Sequence, residues 1–403
     1  MKYVPIPVAL LDIGTPLPVD IWSASGQLLL RKGQPITCEE HRDKLHAHNA
    51  SSSPADAQAW QRSYERMVHA MLIGGADVQT ISRAPMPSEI RASDYVVGEP
   101  LNGGWLDLQE VLRGILYQGG LATNPMERLA GIEKKALELL KADTDDSLFC
   151  LFQALADTTR GYSSTHALLS AVICHMTSQK LAIPEPQREA LFSAALLMNI
   201  GMARDQDSLA RQNAAPTAWQ RTLIHEHPEK SVVILQGFGV DNPEVLDIVR
   251  WHHLPEAPDG LPITLTARRV LAMADSFIAK MAGRKTRASL SPLKAVKTMV
   301  MGAEGAAQGI ASAMAQAAGF YPPGTYVKLA NGETALSVQR GARANTPWVI
   351  PILDKDDVAM GRHQCKETTT PATTIAGAVS AETMRVTLDI AKVRKARAGI
   401  KNM

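Results

Sequence analysis

The alternation of apolar and polar positions changes period along the chain, and each change marks an element. Near the start, Val19-Asp20-Ile21-Trp22 and Leu28-Leu29-Leu30 flank Ser23-Ala24-Ser25-Gly26, a turn-rich stretch whose Gly26 accepts a positive φ, so a β-hairpin is expected there. Thr37-Cys38-Glu39-Glu40 has the spacing of a capping box, in which the Thr37 hydroxyl and the Glu40 carboxylate satisfy free amides of a short helix. Asn49-Ala50-Ser51-Ser52-Ser53-Pro54 is small, polar and proline-ended and reads as a linker. From about Asp56 the period becomes helical, with Trp60, Tyr64, Met67 and Met71 at three- and four-residue steps. Asp77 to Gly104 is punctuated by prolines and shows no clear period. Helical patterns return at Leu106–Leu116 and Met126–Leu140, and a longer helical block runs from about Asp145 to Gly319. Within it, Asn242-Pro243 and Ser291-Pro292 each pair an N-cap with a proline at the first helical position. After Gly319, Tyr326–Leu329 and Ala335–Val338 surround Asn331-Gly332, a strong hairpin signal.

These elements predict a mainly α protein, a helical bundle with a small N-terminal β-hairpin and helix unit and a small C-terminal β-segment. The expected organisation is a unit at 1–50, a helical linker region at 51–144, a helical domain at 145–320, a β-segment at 321–353 and a tail at 354–403. The tail from Ala381 holds six basic residues (Arg385, Lys392, Arg394, Lys395, Arg397, Lys401) against two acidic ones and reads as a solvated, flexible end. A nucleic-acid or membrane contact is the weaker alternative for it. Met384, Val386, Leu388 and Ile390 alternate as in a strand, which leaves room for order at its start.

Composition narrows the class. The length of 403 residues is a prior for two or three domains, and 45% apolar with 20% charged residues is an ordinary globular composition. Lys+Arg 42 against Asp+Glu 40 leaves +2, too near neutral for a dedicated nucleic-acid binder. No stretch approaches the ~20 consecutive apolar residues of a membrane helix. Met1-Lys2-Tyr3-Val4-Pro5 lacks the layout of a signal peptide. Cys38, Cys150, Cys174 and Cys365 are far apart with no CxxC pair, as expected of reduced thiols in a cytoplasmic protein.

Candidate chemistry gathers in the helical block. His166 lies near the start of a helical run, His227 sits in His225-Glu226-His227-Pro228, His252 and His253 are adjacent, and Asp275 falls mid-helix. Neutral imidazole and carboxylate suit iron, manganese or zinc, and side chains on facing helices can converge inside a bundle. His252 continues the stripe of Val245, Ile248 and Val249 and should face inward, with His253 rotated ~100° further. The plainer reading keeps the histidines as packed polar residues and pairs Asp275 with Arg268, Arg269 or Lys280.

In order and context, the segment from His166 to Arg287 resembles the HD-GYP family, bacterial phosphohydrolases that open cyclic di-GMP. Tyr162-x-x-x-His166, Ala194-Ala195-Leu196-Leu197-Met198-Asn199-Ile200-Gly201, His227-Pro228, His252-His253 and Ala274-Asp275 with the trailing Arg284 and Arg287 follow its motifs in sequence. Tyr321–Thr325 with Asn331-Gly332-Glu333 is similar to the β-segment that follows in many members. The resemblance implies an HD-type helical bundle, metal ligands at His166, His227, His252, His253 and Asp275, and substrate contacts at Arg284 and Arg287. Three positions depart from the pattern. The His-Asp doublet is Met198-Asn199, the lysine after Ile-Gly is Met202, and Asp259-Gly260-Leu261-Pro262 is shorter than the Gly-Tyr-Pro loop.

Those departures bear on chemistry. In the family the doublet aspartate is expected to bridge two metals. Met198 offers only a soft thioether and Asn199 a neutral carbonyl, which leaves repulsion between two adjacent cations of several kcal/mol even at an effective dielectric of ~20. The expectation is a catalytically impaired regulatory or interaction module of cyclic-di-GMP signalling, holding at most one divalent metal (Fe or Mn), with cyclic di-GMP and a protein as its partners. The alternative is an active metal-dependent cyclic-di-GMP phosphodiesterase in which Asn199 takes the place of the aspartate.

Overall fold

The computed structural model describes the chain apart from residues 1–2, 24, 74–76, 83, 92–103, 123, 157–160, 283–293, 296–297, 299–304, 362, 385, 387 and 403. Two units make it up, Met1–Ile132 and Glu133–Met403. Most of the chain is helical, with one small sheet near each end.

In the first unit, β1 (Val4–Pro5), β2 (Ile21–Trp22), β3 (Leu28–Leu30) and β4 (Ser51–Ser52) form an antiparallel sheet in the order β1-β4-β2-β3. The β2–β3 hairpin lies where the turn residues place it. Helix α1 (Glu39–Ala47) starts one residue later than the capping-box reading requires. Cys38 is its N-cap, the Thr37 hydroxyl meets His41 Nδ1 at 3.2 Å, and Glu40 pairs with Lys44 instead.

The supposed linker at Asn49–Pro54 is a correction. Ser51, Ser52 and Ser53 are buried, and β4 pairs with both β1 and β2. Their hydroxyls are satisfied by backbone and cap partners: Ser51 Oγ donates to the Asn49 carbonyl and Ser52 Oγ to the Asp20 carbonyl. Small polar side chains can therefore enter a core without leaving orphaned groups. Ser53 caps α2 (Pro54–Ile73), accepting from the Asp56 amide at 3.1 Å. The stripe read from the sequence puts Trp60 on the core beside Ile21, Ile36 and Leu45, with its indole N–H on the Pro87 carbonyl at 2.7 Å. Helices α3 (Val78–Ser82) and α4 (Trp105–Gln118) follow, and α5 (Pro125–Ala142) crosses into the second unit.

The second unit is built round one helix. After α6 (Thr144–Ala156) comes α7 (Tyr162–Lys180), buried at every residue from Tyr162 to Cys174. A helix apolar or small on all sides must be surrounded. Packed on it are α6, α8 (Glu185–Leu197), α12 (Leu265–Met281) and α13 (Ala306–Ala318), while α9 (Ala203–Arg211), α10 (Ala218–Gly237) and α11 (Pro243–Trp251) complete the bundle. Asn242 caps α11 as expected, and the Ser291-Pro292 start lies outside the described residues. No described helix is long and apolar enough to cross a membrane.

The C-terminal sheet is larger than the expected segment. Strands β5 (Tyr326–Leu329), β6 (Thr334–Gln339), β7 (Trp348–Leu353), β8 (Lys366–Glu367) and β9 (Ile375–Val379) lie antiparallel in the order β8-β7-β6-β5-β9, with Gly332 at φ +87° in the Asn331-Gly332 turn. Where the sequence suggests a flexible tail, the chain supplies β8, β9 and α14 (Ile390–Ala398). Val393 is buried against Leu336, Val338 and Ile350, and Arg394 and Arg397 pair with Asp146 and Asp143 at the start of α6. The tail's charge is partly spent on these pairs, which local composition cannot reveal. Met384 and Leu388 pack on the same cluster without forming a strand.

One close approach fixes the geometry used below. After α8, the turn Ile200–Met202 presses on α10, and a Cβ added at Gly201 would lie 2.7 Å from the His227 carbonyl oxygen and 2.9 Å from the Ser231 amide. Both obstacles are backbone, so neither can swing aside. Gly201→Ala is expected to lower stability by about 1–3 kcal/mol, measured as an earlier urea midpoint; an unchanged midpoint would mean that the turn is not held against the helix.

Candidate functional site

The site begins with a proline. Pro228 lies inside α10, and having no N–H it leaves the Ile224 carbonyl without its helical partner. His227 Nδ1 lies 2.6 Å from that carbonyl. An imidazole nitrogen facing a carbonyl must donate, so Nδ1 carries the proton and Nε2 keeps its lone pair. The same arrangement recurs at the end of α11, where the last carbonyls of a helix lack partners. There His252 Nδ1 donates to the Val249 carbonyl at 2.7 Å, again leaving Nε2 unprotonated. The two Nε2 atoms then face each other at 3.2 Å, with neither His227 nor His252 exposed at all.

Two lone pairs at hydrogen-bond distance with no proton between them repel. Protonation is disfavoured: burial pushes His227 down to about 4, against the pull of the Ile224 hydrogen bond. Burial, then the neighbouring His253 and His227, pushes His252 down to about 3. The exposed His253 completes a cluster, its ring 4.1 Å from that of His252 and 5.1 Å from that of His227. The ligand atoms of all three lie within 4.8 Å of one another. Two metal–imidazole bonds of about 2.1 Å reach across at most about 4.2 Å, so an ion would draw the rings slightly together, and neutral imidazoles suit a divalent first-row ion. The residues present therefore fit one metal.

His166 and Asp275 form a second group. His166 Nε2 lies 2.7 Å from Asp275 Oδ1, and its Nδ1 is 3.1 Å from the Tyr162 hydroxyl one turn earlier on α7. Burial alone would raise the Asp275 pKa, but the His166 hydrogen bond and charge, with His252 and His253 nearby, hold it well below the usual carboxylate range. Both His166 nitrogens thus have protein partners, which sets it apart from the other three histidines. The anticipated alternatives for Asp275 are not used: Arg268 pairs with Asp247, Arg269 with Glu256, and Lys280 donates to Ser276.

Met198 and Asn199 close α8 beside this assembly. Ser231 Oγ of α10 donates to the Met198 carbonyl at 2.8 Å and accepts from the Gly201 amide at 3.0 Å. Met198 is wholly buried, as suits an apolar helix face, and Asn199 is 3% exposed. Among the described residues Asn199 Oδ1 has no hydrogen-bond partner. A buried carbonyl left so costs on the order of 1–3 kcal/mol.

An open cleft of about 430 Å³ reaches the group, lined by His252, His253, Ala272, Asp275, Ser276, Ala279 and Lys280. Arg284 and Arg287 lie outside the described residues. Sequence reasoning missed how the loop after His253 is anchored. Asp247 accepts from the Leu261 amide at 3.0 Å and from the Thr264 hydroxyl, while the buried Arg268 reaches the Leu261 carbonyl. Leu261, Thr264 and Arg268 lie 14 to 21 positions after Asp247, and only a charged residue on the apolar side of α11 hinted at them.

The depressed imidazole pKa values make stability acid-sensitive in the metal-free protein. The unfolded chain takes up protons near pH 6.5 while the folded rings stay neutral to about 4 and about 3, so stability declines as pH falls through that window. The expected loss between pH 7 and 5 is roughly 2 kcal/mol per ring. Urea unfolding of wild type and His252→Gln at the two pH values checks this. The variant should lose about one ring's share of the slope, and equal slopes would contradict the burial of a neutral ring.

Comparison with known proteins gives a family match over part of the chain. Residues 150–305 match the family described as HD domain. The sequence matches no curated protein. Among solved structures, the chain is similar to Bd1817, a HDG"Y"P protein from Bdellovibrio bacteriovorus, with 16% identity, a TM-score of 0.41, and coverage of 77% of this chain and 98% of that one. The family match falls on the segment holding all five of His166, His227, His252, His253 and Asp275. Over that segment the chain is similar to HD domains.

Proposed function

We propose that the protein is an HD-GYP-type member of bacterial cyclic-di-GMP signalling that binds one divalent metal, iron or manganese, and acts in the cytoplasm as a regulatory or interaction module with a protein partner. The observation that carries this reading is the donor set: three clustered imidazoles, two of which (His252 and His253) line the cleft, with a thioether and a neutral amide at the doublet positions. His227, His252 and His253 would hold the ion, and Asp275, kept ionised by His166, supplies the cleft with its one carboxylate. A bound divalent ion supplies charge for a phosphoryl oxygen and acidifies a bound water. A second ion would lack an anionic bridge, because Asn199 brings no charge to offset the repulsion. The site then binds a cyclic dinucleotide without opening it.

A second reading, an atypical phosphodiesterase, is favoured by the partnerless Asn199 Oδ1, an acceptor that a cation would satisfy. Metal analysis together with a hydrolysis assay on cyclic di-GMP separates the two. The first reading expects about one equivalent of Mn²⁺, lost in His227→Ala, and no turnover by wild type. Met198→His with Asn199→Asp should gain a second equivalent and measurable hydrolysis. Turnover by the wild type that is lost in His252→Ala would instead establish the second reading, and a wild type that takes up no metal would defeat both.

A further inference from the structure

On the cleft wall next to the histidines, α12 presents a pair that no motif singles out. Ser276 and Lys280 are four residues apart and so lie on one helix face. Lys280 Nζ donates to Ser276 Oγ at 2.8 Å, and both residues line the cleft with His252, His253 and Asp275. Among the described residues lining the cleft, Lys280 alone carries a permanent positive charge, and no carboxylate among the described residues forms an ion pair with it. The contrast with the rest of the helix is informative: Arg268 and Arg269, two turns and more earlier, are each committed to an acid.

An ammonium has three donors, and among the described residues one is spent, on Ser276. Having accepted that bond, the Ser276 hydroxyl can turn its own proton outward. Together the two groups offer several converging donors and one charge to a ligand in the cleft. That chemistry fits the non-bridging oxygens of a phosphate, which need several donors and a cation at once. The position after Ile200-Gly201, by contrast, is filled by the buried, uncharged Met202.

We propose that Lys280, positioned by Ser276, is the phosphoryl-oxygen contact of this cleft and determines its affinity for phosphate esters. This rests on the preceding reading that the cleft receives a phosphate-containing nucleotide. Bound anion then sits beside the ammonium, and Asp275, the one carboxylate among the described residues lining the cleft, has Oδ1 engaged by His166.

Calorimetric titration of inorganic phosphate and, separately, cyclic di-GMP into the full-length, Mn²⁺-loaded protein tests the assignment. Lys280→Met should weaken both ligands by about tenfold or more, Ser276→Ala by about threefold, and Lys280→Arg should restore binding to within about threefold of wild type. Mn²⁺ content and thermal midpoint should stay at wild-type values in all three, because no metal donor is touched. Wild type that holds Mn²⁺ and binds phosphate while Lys280→Met binds equally well would overturn the Lys280 assignment and leave the metal reading standing. Wild type that holds no Mn²⁺ would defeat the metal reading, and wild type that binds neither anion would defeat the present proposal with it.

Discussion

Two unprotonated ring nitrogens held face to face, His227 Nε2 and His252 Nε2 at 3.2 Å, are the constraint on which the site depends. Either ring alone is an ordinary packed histidine. Together they cannot satisfy one another, since both protons are committed to backbone carbonyls on the far sides of the rings. Low local dielectric strengthens such a mismatch and also disfavours the proton that would resolve it. A divalent cation would resolve it without protonation, a need that the His166–Asp275 pair does not share. The latter is already satisfied within the protein.

The fold creates this mismatch by ordinary means. A proline inside α10 frees one carbonyl and the end of α11 frees another, and each captures the histidine three residues downstream. The two helices meet because apolar faces carrying Val232, Leu235, Val245, Ile248 and Val249 are buried. Within that frame Met198 packs in the core as a hydrophobic side chain, and the turn after it is tied to α10 through Ser231.

Much of this was legible in the sequence, for reasons specific to each element. The stripe through Val245, Ile248, Val249 and His252 was a pure helical period, so the inward direction of His252 followed from it. The Asn331-Gly332 hairpin was a local signal and appears in register. What was missed depended on distant partners. Ser51–Ser53 looked like a linker because nothing local shows that their hydroxyls find acceptors in a sheet. The basic tail looked solvated because Asp143 and Asp146 lie some 250 positions away from Arg397 and Arg394. Asp275 offered three nearby cations, yet pairs with His166 across 109 positions.

Nitrogen NMR of the histidine rings tests the central claim most directly. In the metal-free protein at neutral pH, His227 and His252 should both be in the Nδ1–H form with unprotonated Nε2, and one equivalent of diamagnetic Zn²⁺ should shift both Nε2 resonances and no longer do so beyond that ratio. An Nε2–H form on either ring, or resonances that ignore the metal, would contradict the account.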